Sequence, residues 1–391
     1  MIPAAASALA LAAVLGAAGD PQGPTAASVL TPLESAALRQ VLASLPQRSV
    51  PELSEPLVQA ARTLARSAAG GEPRPLSSAA LRTALGEAGV VDPAPAAVVL
   101  SARASSLPEA MAAAARFRGA SHLGIGVVVR DGLAWGVLLA TERRAEVEPF
   151  PRRVAIGSRV ALRGRLLRLE GARVWVSTPS GVARELPVEV EGDRFSATVP
   201  FDAPGTWRVE VGGSGPRGPT VAALLEVACG DVVPGAVPPG DVDPAEPADA
   251  TATILGAVNA LRARQGLAPL IGSAPLDAQA RRHSEAMLAA GTLAHRLPGG
   301  EDLLARLAAA GIRYRSAREN VARGDGVIDA HRAMVESPAH LANLLAVDVR
   351  LVGLGIARGA LPGGQPVVYL TEILVEPRDP LPVGDPPTGV R

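Results

Sequence analysis

The chain contains no lysine. All 38 of its basic residues are arginine, and 38 acids balance them to a net charge of zero. Aromatic residues make up only 2% of the chain. A zero balance excludes the basic stripe that nucleic-acid binding needs, and the scarcity of aromatic rings removes the surfaces on which bases stack. Cysteine occurs once, at Cys229, which excludes an intramolecular disulfide and any paired-cysteine metal knuckle. A small buried apolar role is the natural reading of that thiol. Beyond the extreme N-terminus no run approaches the roughly 20 apolar residues of a membrane-spanning helix. The sequence also has no G-x-S-x-G and no H-E-x-x-H, so neither an esterase elbow nor a zincin helix is present.

What is present is 391 residues with 48% hydrophobic content, enough for about two to four domains with buried cores. Residues 1–19 form an Ala/Leu/Val run that closes on small residues before Asp20-Pro21, as a secretory signal does. A secreted or periplasmic destination follows, with an uncleaved N-terminal anchor as the alternative. No cysteine follows the run, so there is no lipid attachment site.

Composition divides the remainder into five stretches. Residues 25–150 alternate helical Ala/Leu runs with Pro and Gly breaks, then give two apolar strands around Asp131-Gly132, a strong hairpin signal. Residues 151–230 carry short strands separated by turn residues, the spacing of an antiparallel β-sandwich of immunoglobulin-like type. Residues 231–250 are an aperiodic Pro/Gly/Asp linker. Residues 251–376 return to an α/β pattern, and residues 377–391 read as a disordered tail. The first block resembles a degraded copy of the last. Pro56 to Leu64 aligns with Pro275 to His283, Gly124-Ile125-Gly126 with Gly353-Leu354-Gly355, and Glu148-Pro149 with Glu376-Pro377. In this alignment Leu64 replaces His283 and Met111 falls at the place of His340.

The polar residues of the last block are the candidate site. Leu276, Ala280, His283 and Met287 recur at helical spacing, so His283 faces the core, where a backbone carbonyl would satisfy it. His295 follows in a loop. Glu319-Asn320 comes next, in a segment too short to bury its polar groups alone. Ser337-Pro338 then opens a helix as cap and first residue, with His340 in the first turn, where the positive helix end favours a neutral imidazole. Ser337 reads as a cap and Ser284 as a helix-surface residue, which leaves no evident nucleophile. The strand 367–375 is apolar on both faces except for Glu372. A buried acid there needs a partner, and Arg350 or Arg358 are candidates by proximity.

The sequence ENVARG at residues 319–324, SPAHLANLL at residues 337–345 and the Val-Gly-Leu-Gly strand at residues 352–355 resemble the CAP superfamily (cysteine-rich secretory proteins, antigen 5, pathogenesis-related proteins) in its short bacterial form without disulfides. The resemblance implies an α/β/α sandwich for residues 251–376 and a degenerate CAP-like domain for residues 25–150. It also implies a cleft in which His295 and His340 match the two histidines and Glu319 matches the acid, with Asn320 beside it. Those two histidines would hold a divalent cation such as Zn²⁺. The second acid of larger members falls near Ser337, with Glu336 adjacent. The chain departs from the pattern at Met334, where relatives show Trp, and at Glu372, where they show Gln. Family members bind lipids, sterols or protein partners, so a small apolar ligand or an envelope component is implied. Three readings stay open: an exported binding or scaffold protein, a metal-dependent peptidase-like hydrolase with Glu319 as general base, and a structural adhesion protein.

Overall fold

The computed structural model describes residues 30–45, 50–72, 74–93, 95–117, 119–232, 247–360 and 366–378. The expected signal at residues 1–19, most of the expected linker and nearly all of the expected tail lie outside the described residues. Among the described residues no helix is long and apolar enough to cross a membrane.

In the N-terminal part, Asp131 and Gly132 both adopt positive φ, 51° and 79°, and turn strand His122–Arg130 into strand Leu133–Thr141. Strand Ala96–Ala102 pairs with the second of these, and the short strand Glu52–Leu53 lies parallel to the first. Along the hairpin's second strand, alternate side chains serve two cores. Val137 and Leu139 pack with Leu57, Ala61 and Leu64 of helix Glu55–Ala69. Ala134 and Leu138 pack with Ala37 and Val41 of helix Pro32–Ser44 and Met111 of helix Leu107–Ala114. A strand covered on both faces is apolar throughout, whatever its alternation.

The C-terminal part repeats this arrangement. Its strands Ile271–Gly272, Tyr314–Gly324, Leu351–Ala360 and Pro366–Pro377 stand in the order first, third, fourth, second, the same order as in the N-terminal sheet. In both sheets the short first strand pairs parallel and the others antiparallel. Helix Ala274–Ala290 crosses the third strand so closely that a Cβ on Gly353 would lie 2.3 Å from Leu276, and one on Gly355 would lie 2.0 Å from the Ala280 backbone. Helix Glu55–Ala69 makes the same approach, with Gly124 and Gly126 meeting Leu57 and Ala61-Arg62.

Between the two lies a pair of sheets around one core that includes Leu162, Val174, Val176, Phe195, Val199, Trp207 and Val227. Cys229 is buried there, in the role expected of it. Strand Ala145–Val147 already belongs to one of these sheets, pairing with strand Ser158–Leu166, so the sandwich starts before residue 151. The sandwich is not wholly antiparallel, because Arg153–Val154 runs parallel to the strand end at Cys229. Its longest hairpin, strands Gly205–Gly215 and Gly218–Cys229, reaches the C-terminal part, as do Ser180, whose carbonyl accepts from Gln265, and Ala183, which packs against the C-terminal core.

Side chains join the three parts at a few points. Asp325 accepts the Ser78 N–H at 2.7 Å, and Arg82 pairs with Asp329 at 3.0 Å and with Glu336 at 3.5 Å. Arg208 of the hairpin approaches the same Glu336 at 3.8 Å, and Arg217 pairs with Glu142 at 2.7 Å.

The glycine contacts make a direct test. Gly355→Ala and Gly126→Ala should each destabilise the protein by about 1–3 kcal/mol or more, since the added methyl meets helix backbone and not a movable side chain. Urea unfolding of the two variants beside the wild type measures this. A wild-type midpoint for either would show that the helix is not held at that distance.

Candidate functional site

Among the described residues, strand Tyr314–Gly324 forms one edge of the C-terminal sheet, pairing only with strand Pro366–Pro377. Successive side chains of a strand point to opposite faces, so Glu319 and Asn320 serve different sides of the sheet. Both are buried, at 7% and 0% exposure. The pair sits in mid-strand, and its polar groups are taken up by partners from other elements, as a segment too short to bury them alone requires.

On the side of helix Ala274–Ala290, one Glu319 oxygen meets His295 Nδ1 at 3.0 Å and the other accepts from Arg306 Nη2 at 2.5 Å. Burial alone would raise the Glu319 carboxyl. The hydrogen bond from His295 and the charges of His295, Arg306 and His283 outweigh it and hold the group below the usual carboxylate range. His283 lies on the buried helix face and bonds the Ala294 carbonyl at 2.9 Å, the backbone partner expected of a core histidine; burial lowers its pKa, with Glu319 opposing. Ser284, expected on the surface, is instead fully buried and donates to the Gly355 carbonyl at 2.9 Å.

On the other side, Asn320 Nδ2 donates to the His340 carbonyl and to Glu372, each at 3.2 Å, while its oxygen accepts from Asn343 at 2.9 Å. Glu372 is fully buried and does have a partner on the facing helix. His331 Nδ1 meets it at 2.8 Å, whereas the Arg350 guanidinium bonds the Val347 and Val349 carbonyls. His331 escaped the sequence reading although its signal was there: Val327, Ala330, His331 and Met334 form the buried face of helix Val327–Glu336, the same spacing that identified His283.

His340 lies in the first turn of helix Pro338–Leu344, and its Nδ1 contacts Ser337 Oγ at 2.6 Å. Ser337 makes no side-chain cap bond. Its hydroxyl donates instead to Glu210, a residue of the sandwich hairpin. Glu210 is 1% exposed. Trp207, Val209 and Val211 of that strand fill the sandwich core, so Glu210 points outward and is buried only because the C-terminal part covers it. No local sequence signal could have found it. The hairpin tip reaches the other histidine as well. Arg296 donates its N–H to the Arg217 carbonyl and its guanidinium to the Pro216 carbonyl, and a Cβ on Gly218 would lie 3.0 Å from His295 Cβ.

The structure thus brings His295 together with Glu319, and His340 with Ser337, on either side of one edge strand. Burial first, and the charge of His295 second, lower the His340 imidazole pKa. Glu336 is not in this group, since it faces Arg82 and Arg208 at the interface. Each imidazole is held through Nδ1, so Nε2 is its remaining end. Among the described residues no group of three or more His, Cys, Asp or Glu is arranged to hold a metal ion, and the Glu319 oxygens are taken by His295 and Arg306. The imidazole nitrogens of His295 and His340 not engaged through Nδ1 are the donors a cation would use, with Glu319 as outer support. This donor set does not fit a zinc centre with three protein ligands.

Residues 255–371 match the family described as Cysteine-rich secretory protein family, CAP, and the C-terminal third of the chain is a CAP domain. Among solved structures the chain is similar to an outer surface protein from Borrelia burgdorferi, at 17% identity and TM-score 0.31 over 34% of this chain and 96% of that one. It is also similar to an extracellular protein containing a SCP domain from Bacillus anthracis, at 16% identity and TM-score 0.29 over 60% and 67%. A cysteine-rich secretory protein from Staphylococcus aureus matches at 12% identity and TM-score 0.28 over 56% and 76%. No curated protein matches the chain.

Burial pushes the Glu210 carboxyl up to about 7 from an ordinary 4.5, against the bonds from Ser337 and the Ala339 N–H. Burial and the charge of His295 push His340 down to about 3 from 6.5. Between about pH 4.5 and 7 folded Glu210 keeps a proton that the unfolded carboxyl has lost, so its contribution falls as pH rises. Between about pH 3 and 6.5 the unfolded imidazole carries a proton that folded His340 lacks, so its contribution rises with pH. The two slopes oppose each other from about pH 4.5 to 6.5. Glu210→Gln removes the falling one, and its stability relative to wild type should climb by up to about 1.4 kcal/mol per pH unit across about pH 4.5–7. Urea unfolding at half-unit pH steps tests this, and parallel profiles would refute it.

Proposed function

We propose that this chain is an exported bacterial CAP-domain protein of the envelope or extracellular space that binds its ligand without turning it over. The binding site is the cleft of His295, Glu319, Asn320 and His340. One observation carries the reading. Glu319, the acid a hydrolytic mechanism would use as general base, is tied by both oxygens to His295 and Arg306 and held below the usual carboxylate range. A general base works best with a pKa near the operating pH, and this group is shifted the other way.

A divalent cation, when bound, would be held by Nε2 of His295 and His340, and its charge would draw an anionic or carbonyl group of a ligand to the edge strand. A buried apolar cluster adjoins the site. Val321 follows two residues after Glu319 on the same face and packs with Met287, Val367, Tyr369, Leu288 and Leu297. The resemblance to the family is what favours a small apolar ligand, or an envelope component, as the occupant. The sandwich is best read as an immunoglobulin-like spacer. The N-terminal part is best read as a degenerate CAP copy, on the shared strand order and the paired glycine contacts. It keeps the packing while Leu64 and Met111, both apolar and buried, stand where the alignment puts His283 and His340.

Calorimetric titration of the full chain with Zn²⁺, beside His295→Ala and His340→Ala, tests the site. One binding event lost in both variants is expected, with no cleavage of casein by the zinc-loaded protein. Casein cleavage abolished by Glu319→Gln would overturn the binding reading in favour of a metal-dependent hydrolase.

A further inference from the structure

The sandwich hairpin places one acid, Glu210, where a buried interface would ordinarily be apolar. A carboxyl taken out of water is costly unless its acceptors are bonded, and among the described residues Glu210 forms no ion pair. Its bonds come from the Ser337 hydroxyl and the Ala339 N–H. Every other buried side chain of strand Gly205–Gly215 is apolar. The question is what an acid does here that a valine would not.

Proton counting answers it. A serine hydroxyl has one proton and two lone pairs. With its proton given to the Glu210 carboxylate, Ser337 Oγ faces His340 Nδ1, 2.6 Å away, with a lone pair. His340 must then carry its proton on Nδ1 and leave Nε2 bare. Without the carboxylate the hydroxyl is free to donate to Nδ1, which places the imidazole proton on Nε2 and removes the acceptor. His295 is set in the same sense, since ionised Glu319 can only accept, and so its contact with Nδ1 requires a proton there.

We infer that Glu210 is a positioning residue for the cleft: acting through Ser337, it fixes His340 as the Nδ1–H tautomer, so that both histidines present Nε2 lone pairs and the site is assembled from two domains. One acid acts directly and within the CAP domain. The other acts through a serine and comes from the sandwich, 127 residues away in the chain. The inference rests on the proposed function in taking this cleft as the ligand site, but the tautomer it assigns exists with or without a ligand.

The chain has five histidines, few enough for the imidazole nitrogens of the full protein to be resolved by ¹⁵N-detected long-range correlation spectra and assigned with His340→Asn. The spectra are recorded at pH 9, with the Glu210 carboxyl ionised. Wild-type His340 should show a protonated Nδ1 and a bare Nε2. Ser337→Ala and Glu210→Ala should each move the proton to Nε2. Glu210→Gln, whose amide oxygen still accepts from Ser337, should retain the wild-type tautomer. Arg208→Ala loosens the same interface without touching the relay and should also retain it; this separates the relay from mere docking. A protonated Nε2 in the wild type overturns the inference, and so does an unchanged tautomer in Ser337→Ala, which tests the relay even where Glu210→Ala fails to fold. A change in Arg208→Ala as large as in Glu210→Ala also overturns it, in favour of a structural role. Titration with Zn²⁺ as probe should show affinity lower by about 10- to 100-fold in Ser337→Ala. Absence of zinc binding in the wild type would sink the cation part of the proposed function and leave the tautomer assignment standing on its own spectra.

Discussion

The two-residue period of one edge strand governs the candidate site. Glu319 and Asn320 are neighbours in sequence, and the pleat sends them to opposite faces of the C-terminal sheet. Each becomes the hub of a separate polar cluster under a different set of helices. Glu319 gathers His295 and Arg306. Asn320 ties the His340 carbonyl to Glu372 and Asn343, which seats the helix carrying His340. The two imidazoles belong to different layers, His295 on the Glu319 side of the strand and His340 on the Asn320 side.

The hairpin of the sandwich takes up the space beside that edge. Its tip touches the His295 loop and its middle touches Ser337, so both histidine-bearing segments meet the neighbouring domain. The arrangement accounts for two oddities at once. Glu210 is buried on the wrong face of its own sandwich, and Ser337 neglects the helix it precedes. Each is half of a contact between domains, and neither makes sense within the domain that supplies it.

Legibility from sequence follows the range of the interactions. The Asp131-Gly132 turn, the buried face of helix Ala274–Ala290 with His283 on it, the inertness of Cys229 and the doubly apolar last strand are consequences of residues a few positions apart, and these were readable. The likeness of the first and last blocks could be read from Gly124 and Gly126 against Gly353 and Gly355, because glycines demanded by close helix approach leave few substitutes. His331 was within reach by the same periodicity and was missed. Glu372 called for a partner, but proximity along the strands suggested arginine where a helix on the facing layer brought histidine. Ser284 looked like surface because a small hydroxyl carries no periodic signal; its burial against Gly355 and Thr371 depends on how closely that helix packs. Glu210 lay beyond any local pattern, since docking between domains has no period.

The lack of lysine has a consequence for how the three parts hold together. Three of the ionic joints between them are guanidinium to carboxylate, through Arg82, Arg208 and Arg217, and a guanidinium keeps its charge throughout the range in which proteins are handled. These joints are therefore insensitive to alkali, and their side chains are 25% to 39% exposed on the arginine side, within reach of counterions. At about 1 M salt the screening length shrinks to about 3 Å. For these ionic joints, ionic strength and not alkalinity is the variable that weakens the hold of one part on another.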